Sequence, residues 1–249
     1  MRTLIICHLS STKDNIFRFK QFDVNQSGCA MKVNTDGVLL GALVDFDKPS
    51  RILDIGTGTG VIALMLAQRF PLADITAVEI EEGAVTTAKG NFNESVFKER
   101  LHAVHASFSS YFQRDNLGKF DLIVSNPPFF IDSLRSSDVS KGVARHTDEL
   151  FFESLLRECA LNLQTHGVLA LIVPLRISRI LEKLAAEVGL RLHKKTIICS
   201  FTDSTPHREI LVFGSEEKQT ELTKFVIYAE QKEYSSEYRE VLKDFLTIF

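Results

Sequence analysis

This sequence predicts an α/β fold, a doubly wound and mostly parallel sheet with helices on both faces, and two observations predict it. From Arg51 onward, short apolar runs alternate with longer segments of helical period, the pattern of repeated βαβ units. The first run, Arg51-Ile-Leu-Asp-Ile55, breaks into the glycine turn Gly56-Thr-Gly-Thr-Gly60 and opens into a helix, as a buried strand feeding a crossover does. The crossovers are expected to be right-handed.

The elements follow in order. Phe17-Arg-Phe-Lys-Gln-Phe22 alternates apolar and polar residues, as a half-buried strand would. Thr35-Asp36-Gly37 reads as the capped start of a short buried helix through Val38-Leu-Leu-Gly-Ala-Leu43. Strands are predicted at 51–55, 75–80, 101–106, 120–125 and 167–174, and helices at 60–69, 82–93 and 149–163, with Pro71 closing the first helix. Past Pro174 a helix over 176–188 ends near Gly189, and strands at 191–199, 209–214 and 223–229 close the sheet in a partly antiparallel way. The tail from Tyr234 to Leu242 reads as an amphipathic helix with a serine cap. With no repeat or linker in view, residues 47–249 are expected to form one globular unit, with 1–46 as an N-terminal extension packed on it.

Composition narrows the function classes. Hydrophobic residues make up 45% and charged residues 24% of the chain, as in a soluble globular protein. A formal net charge of −3 supplies no global basic field, so any nucleic-acid site must be a local patch. With 19 Phe and no Trp, stacking surfaces would be built from phenylalanine. Cys7, Cys29, Cys159 and Cys199 form no Cys-x-x-Cys pair, which favours reduced thiols over disulfides or zinc. His102 and His105, three apart on a strand, face opposite sides, and no metal is expected. Leu4-Ile-Ile-Cys7 is too short for a signal h-region and no apolar run approaches a membrane span, so the expectation is a cytoplasmic protein with no membrane partner and no obligate protein partner.

Gly56, Gly58 and Gly60 allow a sharp turn and close approach of a ligand to backbone. The third glycine of a dinucleotide fingerprint would fall at Val61, and no Gly-Lys-Ser/Thr is present, which weakens a nicotinamide oxidoreductase and excludes a P-loop. Asp54 would repel a pyrophosphate but suits an ammonium group. Glu79, at the end of the next strand, can accept hydrogen bonds from a ribose diol. These residues, Asp54-Ile-Gly-Thr-Gly-Thr-Gly60 with Glu79, resemble the nucleotide-binding half of class I S-adenosylmethionine-dependent methyltransferases. The resemblance implies a Rossmann-like sheet of seven strands and S-adenosyl-L-methionine as methyl donor. Many of its members have Asp after the third strand to hold the adenine amine; here that position falls on Ser107, which could accept a hydrogen bond.

Asn126-Pro127-Pro128-Phe129 ends a later strand. An exocyclic aromatic amine is a poor nucleophile because its lone pair is delocalised into the ring. Two acceptors holding its N–H bonds, the Asn126 side-chain oxygen and the Pro127 carbonyl, would turn that lone pair out of plane. The prolines bring no competing N–H donor, and Asn126 is kept extended before one. Phe129 can stack on a base, worth about 1–3 kcal/mol. Adenine, cytosine and a glutamine amide all fit such a device.

Wider segments favour one family. Phe17–Phe22, Cys29-Ala-Met-Lys-Val-Asn-Thr-Asp-Gly-Val-Leu-Leu-Gly41, Ala144-Arg-His146 and Pro206-His-Arg208 occur in the order found in bacterial tRNA(Val) adenine N6-methyltransferases, which the chain resembles from about Phe17 to its end. The resemblance implies methylation of the adenosine 3′ of the anticodon, position 37. Its members usually carry Tyr where Phe129 stands, so the stacking face is kept and a hydroxyl is lost. It implies Thr35 and Asp36 near the methionine end of the cofactor. It also implies Lys20, Lys32, Arg145, Arg176, Arg179, His207 and Arg208 as contacts to tRNA. The polar, charged segment Asp132–Asp148 after the motif is expected to be a mobile loop over the RNA. The alternatives are a protein glutamine N5-methyltransferase, whose substrate binding would depend weakly on salt, and a non-catalytic RNA-binding protein, which would have no need of Asp54, Glu79 and Asn126.

Overall fold

The computed structural model describes residues 15–128 and 138–249, without the side chains of 138–148. A hairpin of β1 (Ile16–Arg18) and β2 (Asp23–Asn25) leads to helix α1 (Thr35–Leu43). Strands and helices then alternate: β3 (Arg51–Ile55), α2 (Val61–Arg69), β4 (Asp74–Glu79), α3 (Glu82–Glu94), β5 (Leu101–His105), α4 (Phe108–Phe112), β6 (Phe120–Ser125), α5 (Asp138–Asn162), β7 (Leu163–Val173) and α6 (Leu175–Glu187). After them come β8 (Arg191–Cys199), β9 (Arg208–Gly214), β10 (Glu221–Val226), a small hairpin of β11 (Tyr228–Glu230) and β12 (Glu233–Tyr234), and α7 (Ser236–Leu242).

The main sheet has the order β10-β8-β9-β7-β6-β3-β4-β5. Only β9 runs antiparallel to its neighbours. The sheet has eight strands, one beyond the expected seven, because β10 adds in parallel to β8 at the edge. Apolar residues on the two faces feed separate cores. Ile52 packs into a cluster with α1, α2 and α7, whereas Leu53 and Ile55 pack into one with α4, α5 and α6. This is the doubly wound arrangement. Strand order reverses between β3 and β6, where ligands of open α/β sheets bind beyond the carboxyl ends of the strands.

Four expectations differ from the structure. Residues 17–22 are not one strand: the Phe19 N–H donates to the Phe22 carbonyl at 2.9 Å, and the chain turns back so that the Phe19 and Phe22 rings stack 4.5 Å apart. The alternation holds over Phe17–Lys20 and breaks at Gln21, where the turn brings Phe22 back to the buried side. The cap of α1 is Asn34, whose side chain accepts from the Gly37 N–H, and Thr35 is the first helical residue. The loop expected over Asp132–Asp148 is helical from Asp138 onward, while 132–137 lie outside the described residues. Polar composition does not separate a loop from a helix with a polar face. Strand β7 also starts earlier than predicted, directly after α5.

Among the described residues no helix is long and apolar enough to cross a membrane, and no group of three His, Cys, Asp or Glu could hold a metal ion. Cys29, Cys159 and Cys199 are free thiols; Cys7 lies outside the described residues. His102 pairs with Asp74, and His105 bonds the Ile80 carbonyl.

Candidate active site

At the switch point, Ile55 of β3 is aligned with Val78 of β4 and Ser125 of β6. The chain beyond Ile55 is held to β4 by the Gly56 and Thr57 N–H groups, which donate to the Val78 carbonyl at 2.8 and 3.2 Å. The glycines of the turn do different jobs. Gly58 has φ +55°, and a Cβ there would meet nothing within 4 Å, so the turn is open on that side. Gly60 has φ +84° and a Cβ would lie 2.5 Å from the Phe92 ring, so this glycine is needed for packing against α3. Helix α2 starts directly after Gly60 with no side-chain cap from that residue, and the Ala63 N–H in its first turn faces the Asp54 carboxylate.

Two carboxylates frame the turn. Asp54 is fully buried; its Oδ2 accepts from the Thr57 hydroxyl at 2.6 Å and its Oδ1 has no hydrogen-bond partner. Burial pushes its carboxyl up to about 7, with the Thr57 hydroxyl and the Ala63 N–H acting against this and the charge of Glu79 adding to it. Glu79 accepts from the Gly58 N–H at 2.9 Å through Oε2, and from the Ile80 and Glu81 N–H groups through Oε1. It thus ties the glycine turn to the end of β4 and keeps lone pairs for further donors. Two acids meeting at one turn favour a positively charged guest.

On the other side of β3, the Ser125 hydroxyl donates to the Ile55 carbonyl at 2.8 Å and pins the tip of β6 to that of β3. Asn126 follows, with its side-chain oxygen buried and without a partner. Pro127 is buried and Pro128 exposed, whereas Phe129 lies outside the described residues. Thr35 Oγ1 is a third buried atom with no partner. Its helix turn packs beside the start of α2, since a Cβ on Gly37 would lie 3.6 Å from both Val61 and Ile62. Ser107 is occupied differently from the expectation: its hydroxyl caps α4, accepting from the Ser110 N–H at 3.1 Å.

The family described as methyltransferase small domain matches residues 29–189. A tRNA1(Val) (adenine(37)-N6)-methyltransferase of Pedobacter heparinus is 43% identical over 235 residues, covering 94% of this chain and 99% of the relative. One of Bacteroides thetaiotaomicron is 40% identical over 230 residues, covering 92% and 96%. The chain belongs to the tRNA1(Val) (adenine(37)-N6)-methyltransferase family. The fold also matches the crystal structure of a predicted O-methyltransferase from Agrobacterium tumefaciens, with a TM-score of 0.63 at 18% identity, over 84% of this chain and 96% of the other.

For a chain of this methyltransferase family, the basic residues singled out in the sequence divide into groups. Arg176 and Arg179 are exposed on the first turns of α6, directly after the carboxyl end of β7 and so on the same edge as Asn126. Lys32 is exposed just before α1. His207 precedes and Arg208 opens β9, which enters at that same edge because it is antiparallel to β7. Burial and the neighbouring Arg208 push the His207 imidazole down, with Asp36 opposing them. Lys20 lies elsewhere. It bonds the Lys243 carbonyl, next to Asp244, whose carbonyl accepts from Gln68 in the last turn of α2, at the amino-terminal edge of the sheet. The side chain of Arg145 lies outside the described residues.

Sequence reasoning missed three residues. Thr57 and Ser125 are short hydroxyls whose hydrogen bonds are set by register, which no motif marks. Ile80 leaves an apolar side chain 63% exposed directly after Glu79, and an apolar residue following a strand-ending acid was the available signal.

Proposed function

We propose that this chain transfers a methyl group from S-adenosyl-L-methionine to N6 of adenine 37 in a valine tRNA, in the cytoplasm. The observation that carries the reading is the Asn126 side-chain oxygen, buried and unpartnered at the tip of β6, next to the tip of the strand that bears Asp54. An acceptor left unsatisfied in a dry site costs about 1–3 kcal/mol, so it is an acceptor matched to an incoming N–H. Supporting it are the curated relatives, whose names give tRNA1(Val) adenine 37 as their target.

The residues present fit the methyl donor. Space above Gly58, the unpartnered Asp54 Oδ1 and Thr35 Oγ1, and the remaining lone pairs of Glu79 suit a nucleoside that carries an ammonium group. Glu79 would accept from the ribose hydroxyls, Asp54 would balance positive charge, and Thr35 would bond the methionine end. Ile80 offers an apolar face for the adenine ring. Ser107, already a helix cap, could still lend its second lone pair to the adenine amine. When bound, S-adenosyl-L-methionine supplies a methyl group on a sulfonium, an electrophile that needs no metal.

The chain's own part is to position the amine. Asn126 Oδ1 and the Pro127 carbonyl each accept one N6–H, which orients the nitrogen lone pair toward the methyl carbon. The Pro-Pro backbone keeps both acceptors from moving, so little reorganisation is left for the reaction itself. Phe129 would stack on the flipped base. With the donor bound, Asn126 Oδ1 and the Pro127 carbonyl would keep the amine in place while N6 took up the methyl group and released a proton to water. Lys32, Arg176 and Arg179 would contact tRNA phosphates around this edge. The anticodon loop suits the site because its bases are unpaired and inexpensive to flip.

The test is mass spectrometry of nucleosides from tRNA incubated with the protein and labelled donor, beside duplex DNA and a release-factor-like protein. N6-methyladenosine in tRNA alone is the expected outcome. Label in a protein glutamine with none in tRNA would assign the chain to glutamine methylation instead.

A further inference from the structure

Arg208 was read from the sequence as a phosphate contact and Asp36 as a cofactor contact, yet the two are bonded to each other. The Arg208 Nε donates to Asp36 Oδ2 at 2.7 Å, joining residues 172 apart in the chain, and Nη1 donates to the His207 carbonyl at 2.9 Å. Both side chains are sheltered, 29% and 20% exposed, so the pair is less screened than a surface ion pair. A tRNA phosphate approaching Arg208 would meet a guanidinium already neutralised by a carboxylate.

The position of the pair gives it another task. Asp36 lies in the first turn of α1, adjacent to Thr35 with its buried, unpartnered hydroxyl. That turn packs on the first residues of α2, immediately past the glycine turn. Arg208 is the first residue of β9, whose neighbour in register, Glu209, faces Val173 at the end of β7. The ion pair therefore fastens the α1 turn to the main sheet at the site edge. We propose that Arg208 is a positioning residue for the methyl donor: through Asp36 it holds the Thr35 turn against the glycine turn, and it does not bind tRNA phosphate. This rests on the reading that the edge binds S-adenosyl-L-methionine.

The experiment compares wild type, Arg208→Ala and Arg208→Lys for donor affinity by calorimetry, tRNA affinity by filter binding, and KM and kcat for the donor. Arg208→Ala is expected to weaken donor binding and raise its KM about tenfold, because Asp36 is left sheltered without its partner. It should change kcat by less than that and leave tRNA affinity and its salt dependence unaltered. Arg208→Lys, which keeps the charge, should recover part of the donor affinity, and it carries the test if Arg208→Ala does not fold. Wild-type donor affinity in both variants overturns the proposal. So does a drop in tRNA affinity with donor binding intact, which would return Arg208 to the phosphate contacts. Absence of donor binding by the wild type would instead remove the functional reading, and this proposal with it.

Discussion

On the β3–β4 side of the carboxyl edge, the ligand-facing groups are main-chain atoms of a glycine turn and two acids anchored by hydrogen bonds to that turn. On the β6–β7 side they are the Asn126 side chain and the Pro127 carbonyl beyond the end of β6 and the arginines that open α6, brought together by the pairing of β6 with β7. The first side is local: Asp54, the turn and the start of α2 are consecutive in the chain, and Glu79 ends the next strand. The second collects the amide and carbonyl beyond β6 and the arginines that open α6. The α1 turn, held by Arg208 of β9, reaches the first side from elsewhere in the chain. The difference teaches that donor binding and amine activation are separable, since one depends on a preformed turn and the other on how distant strands end together.

The strongest way to break this comparison is Asn126→Ala. Its loss removes an acceptor for the target amine and should slow single-turnover methylation by about 10²-fold or more, with donor affinity in calorimetry nearly unchanged. Equal losses in rate and donor affinity would mean that the two sides act as one unit. Next in size is Glu79→Ala, expected to cost about 1–3 kcal/mol of donor affinity. Because Glu79 also holds the Gly58 N–H, the variant should loosen the turn, and exchange of that amide should accelerate while the tip of β6 stays protected.

A third prediction concerns pH. The Asp54 carboxyl titrates near 7 in the folded chain, above its ordinary range. The folded state therefore holds this proton where the unfolded state has lost it. Its contribution to stability is fully present at low pH and declines as pH rises through about 7. A cationic guest reverses the preference and favours the carboxylate. Donor affinity should accordingly rise by up to about tenfold per pH unit between about pH 5.5 and 7, with proton release in calorimetry. Asp54→Asn should abolish both the slope and the proton release. A flat profile in the wild type would show that no cation lies beside Asp54.

The smallest expected effect sharpens the other side. Arg176→Ala and Arg179→Ala should each weaken tRNA binding by a few-fold and reduce its log–log salt slope by about 1, leaving donor affinity alone. Lys20→Ala, at the opposite edge, should change neither. Loss of tRNA affinity in Lys20→Ala would extend the RNA surface around the molecule.

Legibility followed the same divide. The strand, turn and helix from Arg51 to Arg69 and the acid at Glu79 could be read directly, because glycine spacing and strand period are local properties. Asn126 was legible as an amide before two prolines. That its oxygen is buried and unpartnered was not, because burial depends on the neighbours β3 and β7. Among the basic residues, charge type is visible in the sequence and location is not: Lys20 and Arg176 stand at opposite edges of the sheet. The turn inside Phe17–Phe22 is marked in the sequence only by parity: Phe22 lies three residues from Phe19, so one strand would face it away from Phe17 and Phe19, and the turn brings all three rings into the core.

By itself the sequence determined the βαβ order, the glycine turn with its two acids, and the amide–proline tip, since each is set by neighbours within a few residues. Only the tertiary structure decided that Thr57 engages Asp54, that Glu79 fastens Gly58, that Ser107 caps a helix, and that Arg208 is held by Asp36. Such choices depend on which strand ends meet and how deeply they are buried. A polar side chain bonds the partner that the packed chain brings within about 3 Å, and sequence distance has no say in that.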